Sequence, residues 1–110
     1  MKLIDVTRLT EALRVFAAER DWESFHSPKN LAMALSVEAS ELVEIFQWST
    51  EEQSIAVKDD EDRRQAAADE IADVVIYATR IADRLGIDVA DAVARKLHKN
   101  AEKYPAVRRI

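Results

Sequence analysis

The sequence of 110 residues contains no cysteine, a single glycine and only two prolines. The absence of cysteine excludes disulfide frameworks, thiolate zinc sites and cysteine nucleophiles. Sheet proteins use more glycine, proline, aromatic and β-branched residues, whereas this chain is 48% hydrophobic and 34% charged. We therefore predict an all-α fold, and the length favours a single domain that spans residues 1–110.

Long hydrophobic runs are also absent from the sequence. No window approaches the roughly 20 apolar residues that a membrane-spanning helix requires. The N-terminal segment MKLIDVTRLTEALRVF lacks the uninterrupted apolar stretch of a signal peptide. We therefore expect no association with a membrane, no export and a cytoplasmic location.

The formal net charge is −5, and the basic residues are spread along the chain, with one short basic pair at Arg108 and Arg109. This distribution disfavours electrostatic binding to long nucleic acids. A small phosphorylated ligand remains compatible with it, because acidic side chains reach phosphate groups through a divalent cation.

Apolar residues recur at helical spacing in four segments, for example Leu9, Leu13 and Phe16 in the first. Ser27 followed by Pro28 is typical of a helix start, with serine as the N-cap and proline at the first helical position. The predicted helices run from about Asp5 to Arg20, Pro28 to Trp48, Arg63 to Leu85 and Val89 to Tyr104.

The ends of the last two predicted helices carry residues that favour a stop or a start. Gly86 suits a left-handed residue after the third helix, and Asp88 suits the N-cap of the fourth. Pro105 ends the fourth helix, because proline cannot continue it.

The polar segment 49–62 connects the second and third predicted helices. A capping box is possible for Ser49 with Glu52, or for Thr50 with Gln53. The segment therefore has room for a short helix, and the sequence leaves both pairings open.

Two glutamates of the second predicted helix fall on the side that should be apolar. At about 100° per residue, Glu38 lies between Leu31 and Ile45, near the centre of the apolar arc, and Glu41 lies on its flank. A buried carboxylate is costly unless it has a partner. The partner is a basic side chain, a proton or a metal ion.

The third predicted helix carries Glu70, Asp73 and Tyr77 at spacings of three and four residues, which place them on one face. Carboxylates from two facing helices supply the hard oxygen ligands that suit Mg²⁺ or Mn²⁺. We predict a metal site formed by Glu38, Glu41, Glu70 and Asp73. The residues alone leave a solvated acidic face as an equal alternative.

Two further groups of residues are candidates for contacts with a nucleotide. Flat rings can stack on a nucleobase, although rings near a loop also cap the end of a bundle. Polar residues spaced four apart on the last helix suit phosphate or sugar contacts, although a solvated strip is the simpler interpretation. The candidate rings are Trp22, His26 and Trp48, and the polar strip consists of Lys96, Asn100 and Tyr104.

The acidic residues occur in the order Glu38-x-x-Glu41, 28 intervening residues and Glu70-x-x-Asp73. This order resembles the signature of the all-α nucleoside triphosphate pyrophosphohydrolases, the MazG-like superfamily. The segments FAAERDWESFHSPKN, ELVEIFQW, ADVVIYATRIADRLGIDVADAV and KLHKNAEKYP are similar to its dCTP pyrophosphatase branch. The resemblance extends over nearly the whole chain, from Val6 to Pro105.

This resemblance implies a MazG-like four-helix bundle completed by oligomerisation, as a homodimer or homotetramer with sites between chains. It implies Mg²⁺-dependent hydrolysis of a deoxynucleoside triphosphate, dCTP or a modified dCTP, to the monophosphate and pyrophosphate, for sanitation of the nucleotide pool. Family members carry a histidine about where this chain has Leu13, so the wall of the base pocket is expected to differ. The implied metal ligands are Glu38, Glu41, Glu70 and Asp73, and the implied nucleotide contacts are Trp22, His26, Trp48, Tyr77, Lys96, Asn100 and Tyr104.

For the chemical step, a metal clamp, a cation near the leaving group and an oriented water are needed. We expect Glu41 to orient or deprotonate the water and Lys96 to neutralise the departing pyrophosphate. Three alternatives stay open: another base preference such as dUTP, a non-catalytic helical interaction bundle, and a ferritin-like di-metal bundle. The last is disfavoured because it requires Glu-x-x-His pairs on inward helix faces.

Overall fold

The computed structural model describes residues 3–107, so Arg108 and Arg109 lie outside the described residues. Within that range the chain is helical and contains no strand, which confirms the predicted all-α fold. None of the helices in this range has the length and apolar character needed to cross a bilayer. The α-helices are α1 (Thr7–Glu19), α2 (Pro28–Phe46), α3 (Glu51–Ala56), α4 (Glu61–Arg84) and α5 (Val89–Lys103), and 3₁₀ turns span Glu23–Phe25 and Val57–Asp59.

The start of α1 lies two residues later than the sequence predicted. The Asp5 carboxylate accepts a hydrogen bond from the Thr7 backbone N–H at 3.1 Å, so Asp5 precedes the helix. The middle of α1 is tied to α4, because the Arg14 guanidinium donates to the Asp83 carboxylate at 2.9 Å. This ion pair fixes the orientation of α1 on α4.

The start of α2 is as predicted. The Ser27 hydroxyl accepts from the Asn30 backbone N–H at 3.1 Å, and Pro28 occupies the first turn. The end was predicted wrongly, since α2 stops at Phe46 and Trp48 lies beyond it. The Arg63 guanidinium of α4 donates to the Ile45 carbonyl and to the Ser49 hydroxyl. A carbonyl oxygen in the last turn of α2 thus receives its hydrogen bond from another helix.

The connector holds the short helix α3, which begins with one of the two predicted capping boxes. The Thr50 hydroxyl accepts from the Gln53 backbone N–H at 3.1 Å, and the Gln53 side chain accepts from the Thr50 N–H at 3.0 Å. The other pairing is wrong, because the Ser49 hydroxyl accepts from Arg63 instead.

We expect Thr50→Ala to lower the free energy of unfolding by about 1 kcal/mol, because one backbone N–H of α3 loses its acceptor. Thr50→Ser is the matched control and should retain nearly all of the stability, since it keeps the hydroxyl. Chemical denaturation of the three proteins measures the difference. Equal losses for alanine and serine would show that the threonine methyl group, and not the cap, stabilises this helix.

Helix α4 is the central element, because α2, α1 and the Val57–Asp59 turn all pack against it. It begins at Glu61, two residues earlier than predicted, since the Asp60 carboxylate accepts from the Arg63 backbone N–H at 3.3 Å. Gly86 follows it with a φ of 67°, in the left-handed region as predicted.

Helix α5 also has the predicted start, and it ends before Pro105. The Asp88 carboxylate accepts from the Asp91 backbone N–H at 3.1 Å and caps the helix. The closely packed part of the fold consists of α4 with α2, α1 and the Val57–Asp59 turn against it. Helix α5 does not belong to this part. Most of α5 is therefore left without a helix against it in the described chain.

Much of the apolar surface of the described chain is exposed. The buried apolar residues are few and mostly small: Ala17, Leu31, Val57, Ala67 and Ala82. The radius of gyration is 17.1 Å, whereas about 13 Å is typical for a chain of this length. Large exposed apolar side chains occur on all five helices. Those of the three longer helices α2, α4 and α5 include Met33, Val37, Val43, Ile71, Val75, Val93 and Leu97.

Candidate active site

Three of the four predicted metal ligands come together between α2 and α4. One carboxylate oxygen from each of Glu38, Glu41 and Glu70 lies within 4.8 Å of the other two, and all three side chains are half-buried. The three-residue spacing on α2 puts its two acids on one face, and the close packing of α2 on α4 brings Glu70 opposite them.

The surroundings of the Glu70 carboxyl group disfavour its ionised form. Its Oε2 atom is buried and has no hydrogen-bond partner among the described residues. The proximity of Glu38, with which it can share a proton, burial and the charge of Glu41 raise the pKa of Glu70 to about 7. Without a cation, the group of acids therefore retains a proton near neutral pH.

The donor set fits a hard divalent cation. Three carboxylates and no nitrogen or sulfur ligand are the set that Mg²⁺ and Mn²⁺ accept and that soft metals do not favour. The buried Glu70 oxygen without a partner is the atom that a cation would satisfy. The residues present therefore fit a magnesium ion.

Without metal, the protein is expected to lose stability as the pH rises from about 4.5 to about 7. In this range the folded state binds more protons than the unfolded state, because the pKa of Glu70 is raised on folding. Thermal denaturation in EDTA across this range measures the effect, and Glu70→Gln should remove the decline. A decline that persists in Glu70→Gln would show that another group causes it.

The fourth predicted ligand, Asp73, lies one turn further along α4 and is not among the three clustered acids. Its side chain lines a neighbouring pocket together with Tyr77. Burial and the charges of Glu38 and Asp73 raise the pKa of Tyr77, so the phenol lies near the acids as well as the pocket. Tyr77 thus connects the acidic cluster with the pocket.

The pocket has a volume of about 280 Å³ and lies between α1, α2, α4 and the two residues that flank the Glu23–Phe25 turn. It contains two of the predicted nucleotide contacts besides Tyr77, namely Trp22 and His26. Trp22 packs edge-on against Phe16, with 5.7 Å between the ring centroids. The remaining wall is mainly apolar and comprises Leu13, Phe16, Ala17, Leu31 and Ile76. This lining suits a flat aromatic ligand.

A charged network that the sequence did not predict holds the pocket wall. Arg80 is buried at 3% exposure and donates to the Glu23 carboxylate at 2.7 Å and to His26 Nδ1 at 3.2 Å. Arg84 donates to the other Glu23 oxygen at 3.0 Å. Burial and the Arg80 charge lower the pKa of His26. The basic spacing on α4 was visible in the sequence, but its partners lie more than fifty residues away along the chain.

The other predicted nucleotide contacts lie apart from this pocket. Trp48 is 89% exposed and borders a separate groove with Ile45 and Arg63. Lys96 and Tyr104 are exposed and Asn100 is half-buried on α5. The structure therefore brings together Trp22, His26, Tyr77 and Asp73, and leaves Trp48 and the α5 strip outside the pocket.

The helical fold and the oxygen-rich cluster define an all-α protein with a candidate site for a divalent cation. Comparison with known proteins is consistent with this class. The MazG-like family matches residues 33–109. The chain belongs to the MazG-like family.

Its relatives include curated enzymes of the dCTP pyrophosphatase branch. dCTP pyrophosphatase 1 of Mus musculus is 42% identical over 90 residues, which cover 82% of this chain and 53% of the mouse protein. The Homo sapiens protein of the same name is 44% identical over 91 residues, which cover 83% of this chain and 54% of the human protein. The chain thus spans about half the length of the curated relatives it matches.

A solved structure gives the same result for the fold. The crystal structure of a pyrophosphatase from Archaeoglobus fulgidus matches with a TM-score of 0.83 and 42% sequence identity, over 90% of this chain and 91% of that one. The similarity confirms the MazG-like assignment that the acidic motif suggested.

Proposed function

We propose that the chain is a Mg²⁺-dependent nucleoside triphosphate pyrophosphohydrolase, which converts a deoxynucleoside triphosphate to the monophosphate and pyrophosphate. The observation that carries this proposal is the cluster of Glu38, Glu41 and Glu70, with its buried oxygen that lacks a partner, next to an aromatic pocket. The cluster offers a place for the cation that accompanies a triphosphate, and the pocket offers a place for the base.

In this proposal Glu38, Glu41 and Glu70 hold Mg²⁺, and Asp73 joins them from the pocket side. Magnesium, when bound, supplies neutralisation of the phosphate charges and a fixed orientation for them. Mn²⁺ is expected to substitute, because it accepts the same oxygen ligands.

The remaining residues of the site bind and orient the reactants. Trp22 provides a face for the base, and Tyr77 lies between the base and the acids. Glu41 is the proposed group that orients or deprotonates the attacking water. Each carboxylate of the cluster has two oxygens, and a contact with the cation requires only one of them. The other oxygen of Glu41 is therefore available to the water.

The α5 strip and Trp48 complete the site only if a second copy of the chain brings them to it. Lys96 and Asn100 project from a helix that has no closely packed helix against it among residues 3–107, and Trp48 is almost fully exposed. The exposed apolar residues of α2, α4 and α5 offer the surface for that contact. We propose a homodimer or homotetramer in which Lys96, Asn100, Tyr104 and Trp48 face the nucleotide, with Lys96 neutralising pyrophosphate.

The proposed substrate is dCTP or a modified dCTP, because the curated relatives are named dCTP pyrophosphatase 1. Leu13 lines the pocket, and an apolar side chain there cannot donate a hydrogen bond to the base. This leaves dUTP as the alternative within the same reaction. The role that follows is sanitation of the cytoplasmic nucleotide pool by a single domain, without contact to long nucleic acids or membranes.

Pyrophosphate release from the common deoxy- and ribonucleoside triphosphates and 5-methyl-dCTP, with Mg²⁺ and with EDTA, tests this proposal. Release that requires Mg²⁺ and is fastest with dCTP or its methylated form is the expected result. Fastest release with dUTP would retain the reaction and change the substrate. No release with any nucleotide would contradict the proposal and favour a non-catalytic helical bundle.

A further inference from the structure

Arg80 is a buried cation near the C-terminal end of α4, and each of its guanidinium nitrogens has a partner. Its Nε donates to His26 Nδ1 at 3.2 Å, and its terminal nitrogens donate to Asp83 at 3.1 Å and to Glu23 at 2.7 Å. A buried charge with this many directed bonds has one orientation, because any rotation would leave donors or carboxylates without partners. Arg80 is therefore a rigid element of the pocket wall.

The contact with Arg80 determines where the proton of the His26 ring lies. A guanidinium is always protonated and offers only donors, so His26 Nδ1 must act as an acceptor. A neutral imidazole whose Nδ1 accepts carries its proton on Nε2. The charged ring would point an Nδ1–H at the guanidinium, which disfavours it. Both effects select the neutral Nε2–H form.

The Nε2 atom of His26 is the part of the ring that remains available to a ligand. Among residues 3–107 it has no protein hydrogen-bond partner, and it is not one of the buried polar atoms that lack a partner. The ring lines the pocket beside Trp22, with the two ring centroids 5.8 Å apart. A fixed N–H donor is therefore available next to the surface proposed to stack on the base.

We propose that Arg80 is a positioning residue that holds His26 as a neutral Nε2–H donor to the aromatic ring of the bound nucleotide. This inference rests on the proposed function, because it assigns the pocket to the base. The ligand that it selects is a heteroaromatic ring with a hydrogen-bond acceptor, a carbonyl oxygen or an unprotonated ring nitrogen, at the edge facing His26. Pyrimidines carry such a carbonyl.

The neighbouring Arg84 provides a matched control within the same network. It donates to Glu23 at 3.0 Å and to the His26 backbone carbonyl at 3.1 Å, but it does not bond to the His26 ring. Arg84 thus holds the backbone of the turn, whereas Arg80 holds the imidazole. Arg80→Lys and Arg84→Lys keep the charge. Lysine lacks the Nε–H that faces His26 Nδ1, and its single ammonium group is attracted to Glu23 and Asp83, so only Arg80→Lys is expected to leave that ring nitrogen without its donor.

Nitrogen-15 NMR of the labelled protein at neutral pH reads the tautomer directly. The sequence contains only two histidines, so His98→Gln assigns the His26 ring signals. The expected result is an unprotonated Nδ1 and a protonated Nε2 in the parent chain and in Arg84→Lys, and a mixture in Arg80→Lys. A protonated Nδ1 in the parent chain, or an unchanged tautomer in Arg80→Lys, would overturn the inference.

Kinetics with dCTP and Mg²⁺ test whether the donor contributes to binding. Arg80→Lys is expected to raise KM about tenfold and to change kcat little, since a hydrogen bond to the base forms in the ground state. In a His26→Gln background, whose amide donor does not depend on Arg80, the same substitution should have little effect. An equal rise of KM in both backgrounds would overturn the inference, because it would indicate a general structural defect.

Titration with dCMP and Mg²⁺ separates this inference from the proposed function. A shift of the His26 Nε2 signal in the parent chain supports the inference. Turnover of dCTP without any such shift would overturn the inference and leave the proposed function standing. A shift without turnover of any nucleotide would support the His26 donor and contradict the proposed reaction.

Discussion

Glu38→Gln is expected to reduce Mg²⁺-dependent pyrophosphate release by about a hundredfold or more. The substitution keeps the size of the side chain and removes one of the three clustered carboxylates. The remaining amide has one oxygen and no charge, so the cluster of Glu41 and Glu70 would hold a divalent cation weakly. Rates measured with saturating dCTP over a range of Mg²⁺ concentrations test this expectation.

The same variant should not be destabilised when metal is absent. Glu38 raises the pKa of Glu70, so its neutralisation relieves a repulsion and should maintain or increase the melting temperature in EDTA. Glu44→Gln is the matched control, because Glu44 is an exposed acid of α2 that lies outside the cluster. Full activity of Glu38→Gln, or an equal loss in Glu44→Gln, would contradict the metal assignment.

Leu97→Asp is expected to dissociate the assembly and to reduce turnover by about tenfold or more. Leu97 is 52% exposed on the apolar side of α5, a helix that lacks close packing within the described part of the chain. An aspartate at a buried apolar contact between chains would lose its hydration without gaining a partner. Sedimentation at micromolar concentration and the rate of dCTP hydrolysis measure the two consequences.

His98→Asp provides the control for this substitution. His98 is exposed on the polar side of α5, where it pairs with Glu102 at 3.1 Å, so an acid there should leave the assembly intact. A parent chain that sediments as a monomer and still hydrolyses dCTP would refute the proposed completion of the site by a second copy. An assembly that tolerates Leu97→Asp would place the interface elsewhere.

The parts of the fold that depend on local chemistry could be predicted from the sequence. The Ser27 and Asp88 caps and the left-handed Gly86 lie where the sequence placed them, because each depends on neighbours within a few residues. The end of α2 could not be predicted in this way. It is fixed by Arg63, a residue of another helix that binds the last turn of α2.

The candidate site also combines features that the sequence could predict with features that depend on residues far apart in the chain. The clustering of Glu38, Glu41 and Glu70 followed from helical spacing and from the expectation that the two helices face each other. The Arg80 network did not follow, because His26 lies 54 positions away and no spacing rule joins them. The role of the α5 strip also lies beyond a single sequence, since its proposed partners belong to a second chain.

Phosphorus-31 NMR of dCTP incubated with the protein and Mg²⁺ tests the central claim most directly, because it identifies the bond that is cleaved. The account predicts dCMP and pyrophosphate in equal amounts with Mg²⁺, and unchanged dCTP with EDTA. The appearance of dCDP and orthophosphate, turnover that persists in EDTA, or no turnover with Mg²⁺ would contradict it.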